Sequence, residues 1–288
     1  MNYYEGKIIS IDSVGTKIKD DAFSVEQKEN GGYLLHVFIT NPIKYNETFI
    51  EKITNEFKSV GSYTTTSFIR SRLRNESLNS ETERRAIDFS FDIDKYGNVL
   101  SFDIKRTKVM IELELDYDEV FEEIEENYES ELTDFFTTAY TLGELLYEKR
   151  TNGKEFSSYN DALNFDMPFP REFLTLVNLH MAKKLYEDGI PFIYDVVQTE
   201  AKYANNRLVY YTSERKINEI YNDYYGAFTS PLQSYEDLKN IEIVNKFYFA
   251  YFHTKDEKKE LIEFYRKQID GHFEMKRDSF DEERIQKK

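Results

Sequence analysis

The chain has 288 residues, with 38 Lys and Arg against 54 Asp and Glu, and its formal net charge is −16. This charge excludes a protein that coats nucleic acid with its whole surface, because acidic side chains repel phosphates and any such contact must be locally basic. The chain has no cysteine for disulfides or thiolate metal sites, and without a signal peptide or a long apolar run it is predicted to be cytoplasmic and free of membrane contacts.

The N-terminal third is predicted to be rich in β-strands. Residues 6–12 and 22–40 alternate apolar and polar side chains, and Glu29–Gly32 predicts a hairpin turn within the second run. Helical spacing over Asn46–Val60 predicts a helix. The segment Ala86–Leu115 predicts a second hairpin followed by a further strand.

Helices are predicted to dominate the rest of the chain. An acidic helical region covers Tyr117–Arg150, and a second helix covers Arg171–Gly189, where Gly189 is suited to end it. One more strand is predicted over Ile190–Val197, and helices follow to the C-terminus. The prediction is therefore an α+β fold with a mixed, mostly antiparallel sheet surrounded by helices.

No repeat and no linker rich in Pro, Gly or Ser divides the chain, which favours a single domain over residues 1–288. We expect a sheet-rich part at 5–115, a helical part at 116–256 and a charged C-terminal helix or tail at 257–288.

Three carboxylates stand at one end of the predicted N-terminal strands. Asp12 ends an apolar run, and Asp20 and Asp21 end the loop that follows it. Three such groups can surround one hard cation, since Mg²⁺ takes oxygen ligands and keeps waters or substrate phosphate as the remainder. Adjacent aspartates are also common as ordinary loop or capping residues, so a purely structural role for Asp20 and Asp21 stays open as an alternative.

A second set of residues, "FTSPLQSYEDL" at Phe228–Leu238, lies far along the chain. Together with "IDSVGTKIKDDAFSVE" at Ile11–Glu26, it resembles the RNB catalytic domain of the ribonuclease II and ribonuclease R family. The segments "LDYDEV", "EFLTLVN" and "GIPFIYDVV" are similar to further family motifs and stand in the family's order. We expect a stand-alone RNB-like domain.

The resemblance implies a Mg²⁺-dependent exoribonuclease that threads single-stranded RNA 3′ end first and releases nucleoside monophosphates. It implies two divalent cations at the scissile phosphate, with ligands from Asp12, Asp20 and Asp21. We expect these three carboxylates to hold at most one ion, Mg²⁺ or alternatively Mn²⁺. It also implies two further groups of site residues. The catalytic group contains Asp20, Asp21, Tyr117, Glu172 and Gln233. The RNA-binding group contains Tyr63, Ser230 and Tyr235, with Tyr63 stacking on a base.

One basic segment stands out in this acidic chain. In "FIRSRLRNESLNSETERR", Arg70, Arg72 and Arg74 alternate along the sequence. Alternate residues of a strand share one face, so these three side chains can form a track for an RNA backbone. An arginine-rich loop is equally often a solvated surface.

Two positions depart from the family pattern. An aspartate is expected six residues after Asp12, where this chain has Ile18 between Lys17 and Lys19. An arginine that clamps the phosphate is expected where the chain has Gln233, and an amide cannot replace a charged, bidentate contact. Both changes weaken a two-metal site.

Three functions follow as alternatives. The first is an RNA-binding member of the family whose nuclease activity is absent or weakened. The second is a working 3′→5′ exoribonuclease on single-stranded RNA, in which Lys17 or Lys19 replaces one cation or the missing arginine. The third is a protein-interaction module whose acidic face, Glu112 to Glu131, binds a basic protein partner.

Overall fold

The structure is a computed structural model, and it describes residues 2–43, 73–80, 82–125, 131–151, 169–199, 207–252 and 254–286. These residues form two compact units. The first contains residues 2–41 and the described residues of 73–177, and the second contains Pro42, Ile43 and the described residues from 178 onward. No helix in the described ranges combines the length and the apolar character that a membrane span requires.

The first unit is built on one seven-stranded sheet with the order β1-β6-β5-β4-β3-β2-β7. All pairs are antiparallel except β1 with β6 and β2 with β7, which are parallel. The strands are β1 (Asn2–Tyr3), β2 (Ile9–Asp12), β3 (Asp21–Gln27), β4 (Tyr33–Thr40), β5 (Arg84–Ile93), β6 (Val99–Val109) and β7 (Leu113–Asp116).

Three helices follow the sheet in the sequence, namely α1 (Tyr117–Glu125), α2 (Glu131–Thr151) and α3 (Phe169–Glu187). The helix α3 begins in the first unit and continues into the second. Its Phe173 packs edge-on against Phe23 of β3, with the ring centroids 5.6 Å apart. The N-terminal turn of α3 approaches α2 at Gly143, where a Cβ would lie 2.5 Å from the Cα of Phe169. A side chain larger than hydrogen therefore does not fit at this position.

The second unit contains a two-stranded antiparallel sheet and two helices beyond α3. Their bounds are β8 (Tyr194–Thr199), β9 (Arg207–Thr212), α4 (Tyr235–Tyr248) and α5 (Lys255–Gln286). The side-chain amide of Asn240 in α4 accepts a hydrogen bond from the backbone N–H of Ile193 and donates to the carbonyls of Ile193 and Ala227. One buried asparagine thus joins α4 to the segment before β8.

The predicted α+β class and the N-terminal hairpins are confirmed. Gly189 ends α3 with a φ of 68°, a conformation that glycine adopts without strain. The predicted strand at Ile190–Val197 begins later, at Tyr194, because Asn240 rather than a neighbouring strand pairs the backbone of Ile193. Helices are predicted to dominate after residue 197, and α4 and α5 account for most of the described residues there, but the strand β9 is not predicted. The helix predicted at Asn46–Val60 lies outside the described residues.

Candidate active site

The acidic residues of the first unit lie where β2 ends and β3 begins. Asp12 is the last residue of β2, Asp21 is the first residue of β3, and the two strands are antiparallel. Asp12 and Asp21 therefore lie at the same end of two neighbouring strands. Asp20 is buried, and its carbonyl accepts a hydrogen bond from the backbone N–H of Thr40 in β4. The arrangement matches the strand–loop–strand geometry that the sequence predicts.

Burial stabilises the protonated forms of the Asp12 and Asp21 carboxyl groups relative to an exposed aspartate. Burial raises the pKa of Asp12 to about 6, with Lys19 opposing the shift and Glu114 adding to it. Burial raises the pKa of Asp21 well above its ordinary value, and the charges of Asp12 and Asp20 raise it further. The three aspartates therefore interact electrostatically, and their mutual repulsion creates a site that attracts positive charge.

Tyr117 joins these carboxylates from the neighbouring strand. Asp12 of β2 is in register with Asp116 of the parallel strand β7, and Tyr117 follows as the first residue of α1. Asp116 and Glu119 form a capping box, in which each side chain accepts a hydrogen bond from the other's backbone N–H, at 3.0 and 2.8 Å. This reciprocal pair fixes the start of α1, and with it the position of Tyr117.

The hydroxyl of Tyr117 stays protonated at neutral pH. Burial raises the pKa of Tyr117 to about 12, and the charges of Asp21 and Asp12 contribute to the rise. The same interactions show that Tyr117 lies beside the two carboxylates. A protonated phenol can donate a hydrogen bond to an anion, and its ring offers a flat apolar face.

Lys19 places a buried positive charge beside Asp12. Its backbone N–H donates to the hydroxyl of Ser77 at 2.8 Å, and its carbonyl accepts from the N–H of Leu78 at 3.0 Å. Its ammonium donates to Oε2 of Glu114 at 2.7 Å, and only 9% of the residue is exposed. Lys17, two residues earlier, is exposed. Of the two lysines that flank Ile18, Lys19 alone therefore faces the acidic site.

Glu114 in β7 completes this ion pair. Its second carboxylate oxygen, Oε1, accepts a hydrogen bond from the backbone N–H of Ser80. Burial alone would raise the pKa of Glu114, but the hydrogen bonds from Lys19 and Ser80 outweigh burial and lower it. Glu114 is therefore ionised at neutral pH.

The acidic site does not have the ligand geometry of a metal centre. In the ranges that the structure describes, no three or more His, Cys, Asp or Glu side chains are placed to hold one metal ion. Asp12, Asp20 and Asp21 share an electrostatic environment, yet their donor atoms do not converge as a ligand set, and Lys19 already supplies a cation there. The described residues thus do not fit a divalent ion as they stand.

Glu172 has a different environment from the three aspartates. Arg150 of α2 donates two hydrogen bonds to its carboxylate, from Nε at 2.8 Å and from NH2 at 2.6 Å. Glu172 is 3% exposed, so this bidentate pair is buried. The geometry gives Glu172 the role of joining α2 to α3, which the sequence did not indicate.

Three further predicted residues belong to the second unit. The carbonyl of Ser230 accepts hydrogen bonds from the backbone N–H groups of Gln233 and Ser234, both at 3.0 Å, and its own N–H donates to Asp237. Ser234 is the N-cap of α4, and Tyr235, the first residue of that helix, is buried. The motif thus forms a tight turn that leads into α4.

The predicted RNA track is only partly described. Tyr63, Arg70 and Arg72 lie outside the described residues, and Arg74 begins a short 3₁₀ turn at Arg74–Glu76. The acidic face proposed for a protein partner includes Asp118 and Glu119, which are exposed on α1. Both the track and the protein-binding face stay predictions.

Known structures share this fold. Apo Mycoplasma genitalium RNase R has a TM-score of 0.73 at 15% identity, covering 94% of this chain and 54% of its own. An active-site mutant of the Dss1 exoribonuclease from Candida glabrata has a TM-score of 0.70 at 15% identity, with coverages of 93% and 43%. Yeast Ssd1, described as a pseudonuclease, has a TM-score of 0.66 at 13% identity, with coverages of 93% and 43%. RNase R from the same Mycoplasma also has structures in complex with ribose-methylated single-stranded RNA and with double-stranded RNA.

The chain spans about half the length of these solved proteins. No curated protein sequence matches it. The RNB domain family, in contrast, matches residues 1–223, which is most of the chain. The strand order, the acidic edge formed by β2 and β3, and this match lead to one conclusion: the chain belongs to the RNB domain family.

Proposed function

We propose that this protein binds single-stranded RNA and that its nuclease activity is absent or much weakened. The observation that carries the proposal is the buried ammonium of Lys19, which pairs with Glu114 and acts on Asp12. A fixed positive charge at this place competes with a divalent ion for the same carboxylates. We therefore expect the chain to hold at most one divalent ion, Mg²⁺ or Mn²⁺, and to hold it weakly.

Two replaced residues support the loss of activity. Ile18 stands where the family pattern has a carboxylate and is partly exposed in the loop between β2 and β3. Gln233 stands where the pattern has arginine. An amide brings no charge to a phosphate whose negative charge grows during cleavage, so its contribution to catalysis is smaller.

RNA binding draws on different residues. The ring of Tyr117 and, from the family pattern, that of Tyr63 offer surfaces on which bases stack without sequence preference. Arg70, Arg72 and Arg74 supply local positive charge in an acidic chain, so affinity should fall steeply with salt. The RNase R complexes with RNA make this class of ligand the natural one to test.

Active exoribonuclease is the second candidate, and the same lysine favours it. An ammonium beside Asp12 can take the place of one metal ion by stabilising negative charge on a phosphate. In that case Lys19 is needed for activity, whereas in the first proposal its removal leaves cleavage unchanged or improves it. The two candidates therefore predict opposite effects for one substitution.

The experiment incubates 5′-labelled single-stranded RNA with the protein in Mg²⁺ or Mn²⁺ and resolves the products on a gel. We expect the wild type to retain RNA in a filter-binding assay without shortening it. The double variant Ile18→Asp/Gln233→Arg should gain 3′→5′ shortening, and by more than the two single changes combined, because a clamped phosphate gains little without an intact acidic site.

Asp21→Asn is the control, made both in the wild type and in the Ile18→Asp/Gln233→Arg variant. Shortening by the wild type that Asp21→Asn and Lys19→Gln both abolish would establish the second candidate instead. A wild type that neither retains nor cleaves the RNA would overturn both.

A further inference from the structure

The strand β6 lies at one side of the seven-stranded sheet, where only the two-residue strand β1 follows it. Within the part of the chain that the structure describes, β1 pairs with β6 at Thr107 and Lys108, and no other strand pairs with the outer side of β6. We call the outer side of β6 around Ile104 its exposed edge. Such an edge can pair with a strand of another molecule.

The backbone groups of Ile104 point toward this outer side. The carbonyl of Lys108 accepts a hydrogen bond from the N–H of Tyr4, which follows β1, so the backbone of Lys108 faces outward. Residues two apart in a strand direct their backbone groups to the same side. The pairing of β6 with β5 has no register shift between Ser101 and Val109, so the N–H and C=O groups of Ile104 face outward as well.

The carboxylate of Asp103 engages the outward-facing N–H of Ile104. Its Oδ1 accepts a hydrogen bond from that N–H at 2.9 Å. Its Oδ2 lies 2.9 Å from the ammonium of Lys105, and the hydrogen bond and charge of Asp103 raise the pKa of Lys105. A second strand therefore cannot use the Ile104 N–H while Asp103 holds it.

The apolar side chains near Asp103 favour strand pairing. Leu100 is 63% exposed, and Phe102 and Ile104 are partly exposed. Aromatic and β-branched side chains are enriched in paired strands. Asp103 and Lys105 alternate with these residues, and their side chains are 61% and 65% exposed. The charged pair thus stands at a place where the neighbouring residues would support an added strand.

We propose that Asp103 protects the exposed edge of β6 and prevents a second copy of this chain from pairing with it. Charged residues on edge strands are one means by which sheet proteins avoid such pairing. Here the carboxylate has a further effect, because it occupies a backbone donor that the second strand would need. The inference goes beyond the proposed function, since β6 contains none of the residues assigned to the acidic site or to RNA binding.

A second copy is the molecule that Asp103 has to exclude. Every copy presents the same edge, and two identical antiparallel edges can pair about a two-fold axis. Two copies that pair about Asp103 bring two carboxylates opposite each other, which is unfavourable. Removing the carboxylate therefore removes both the repulsion and the competing hydrogen bond.

The test replaces Asp103 with valine, which favours strands and cannot accept the hydrogen bond. Ser101→Val is the matched control, because Ser101 is exposed on the same face of β6 and the change adds the same side chain while Asp103 stays in place. Both positions are exposed, so the variants should fold. Sedimentation velocity over a range of protein concentrations measures the mass. We expect Asp103→Val to associate at least about tenfold more tightly than Ser101→Val or the wild type.

Asp103→Asn separates the hydrogen bond from the charge. The amide oxygen of asparagine can still accept from the Ile104 N–H, so this variant should associate less than Asp103→Val. Hydrogen exchange locates the contact. In Asp103→Val, the exchange of the Ile104 amide should become slower as the protein concentration rises, because that amide is then paired with the second strand.

The proposal is overturned if Asp103→Val and Ser101→Val associate equally at every concentration. It is also overturned if the mass of Asp103→Val rises without slower exchange at Ile104, since the contact then lies elsewhere. Concentration-dependent slowing at Ile104 in the wild type would have the same meaning, because Asp103 would not be keeping a second copy away.

Discussion

The ammonium of Lys19 lies 2.7 Å from Oε2 of Glu114, across 95 positions of the sequence. The pair forms where the loop before β3 meets β7, and the same ammonium opposes the rise in the pKa of Asp12. An ammonium fixed beside these carboxylates acts as their counterion. It therefore reduces the attraction of Asp12 and its neighbours for a further cation.

Metal affinity should therefore depend on Lys19. We expect calorimetry with Mn²⁺ to give no more than one ion per wild-type chain, and Lys19→Gln to raise the affinity by about tenfold, because a competing charge is removed. Lys17→Gln is the matched control, since Lys17 is exposed and the charge change is the same. Two tightly held ions in the wild type, or equal gains in both variants, would contradict the interpretation.

The buried pair of Arg150 and Glu172 should be strongly coupled in stability. Arg150→Met leaves the carboxylate of Glu172 buried without its partner, and we expect a loss of about 3–5 kcal/mol in the free energy of unfolding. Glu172→Leu should also destabilise, whereas the double variant should recover part of the loss. Urea denaturation of all four proteins at pH 7 gives the coupling energy. Additive losses would mean that the two side chains act independently.

Part of this site follows from local sequence patterns. Asp12 is predicted at the end of a strand and lies there, because alternation and turn residues fix strands within a few positions. Asp21 is predicted at the end of the loop and is instead the first residue of β3. The helical region predicted from Tyr117 begins where α1 begins, because the spacing of apolar residues changes there. The capping box of Asp116 and Glu119 is seen only in the structure.

Partner choice did not follow from those patterns. Glu114 lies far from Lys19 in the sequence, and Arg150 pairs with a residue 22 positions away on another helix. Periodicity indicates which face of an element is buried, but not which buried charges meet. The strand β9 is not predicted by the sequence, because its six residues, Arg207–Thr212, show no regular alternation of apolar and polar side chains.

Gly143 and Gly271 should respond in opposite directions to the same substitution. Gly143→Ala places a Cβ 2.5 Å from the Cα of Phe169, and backbone cannot move aside cheaply. We expect a loss of about 1–3 kcal/mol, despite the better helix propensity of alanine. Gly271→Ala in α5 meets no atom within 4 Å and should stabilise by about 0.5–1 kcal/mol. Thermal and urea denaturation measure the stability of both variants. A stabilising Gly143→Ala would show that α2 and α3 are farther apart at Gly143 than the structure has them.

The second unit should lose stability as the pH rises from about 4 to 6. Burial raises the pKa of Asp195 to about 6, and the charges of Asp237 and Glu236 add to the shift. Burial also raises the pKa of Asp237 to about 6, against hydrogen bonds from Ser230 and Ser234. The folded state holds these protons more tightly than the unfolded chain does. The two protonated carboxyl groups therefore contribute fully to the free energy of unfolding at low pH. This contribution is lost as the pH passes through 6.

Asp195→Asn tests this directly, since Oδ1 of Asp195 is buried and has no hydrogen-bond partner among the residues that the structure describes. Removing the charge should raise the free energy of unfolding at pH 7.5 and reduce its slope between pH 4 and 6, by at most ~1.4 kcal/mol per pH unit. Asp94→Asn is the control, because hydrogen bonds from Asn98 lower the pKa of that exposed carboxyl, and its removal should leave the slope above pH 5 unchanged. Urea denaturation at half-unit pH steps measures the slopes. Equal slopes for Asp195→Asn and the wild type would mean that Asp195 ionises as readily in the folded chain as in the unfolded one.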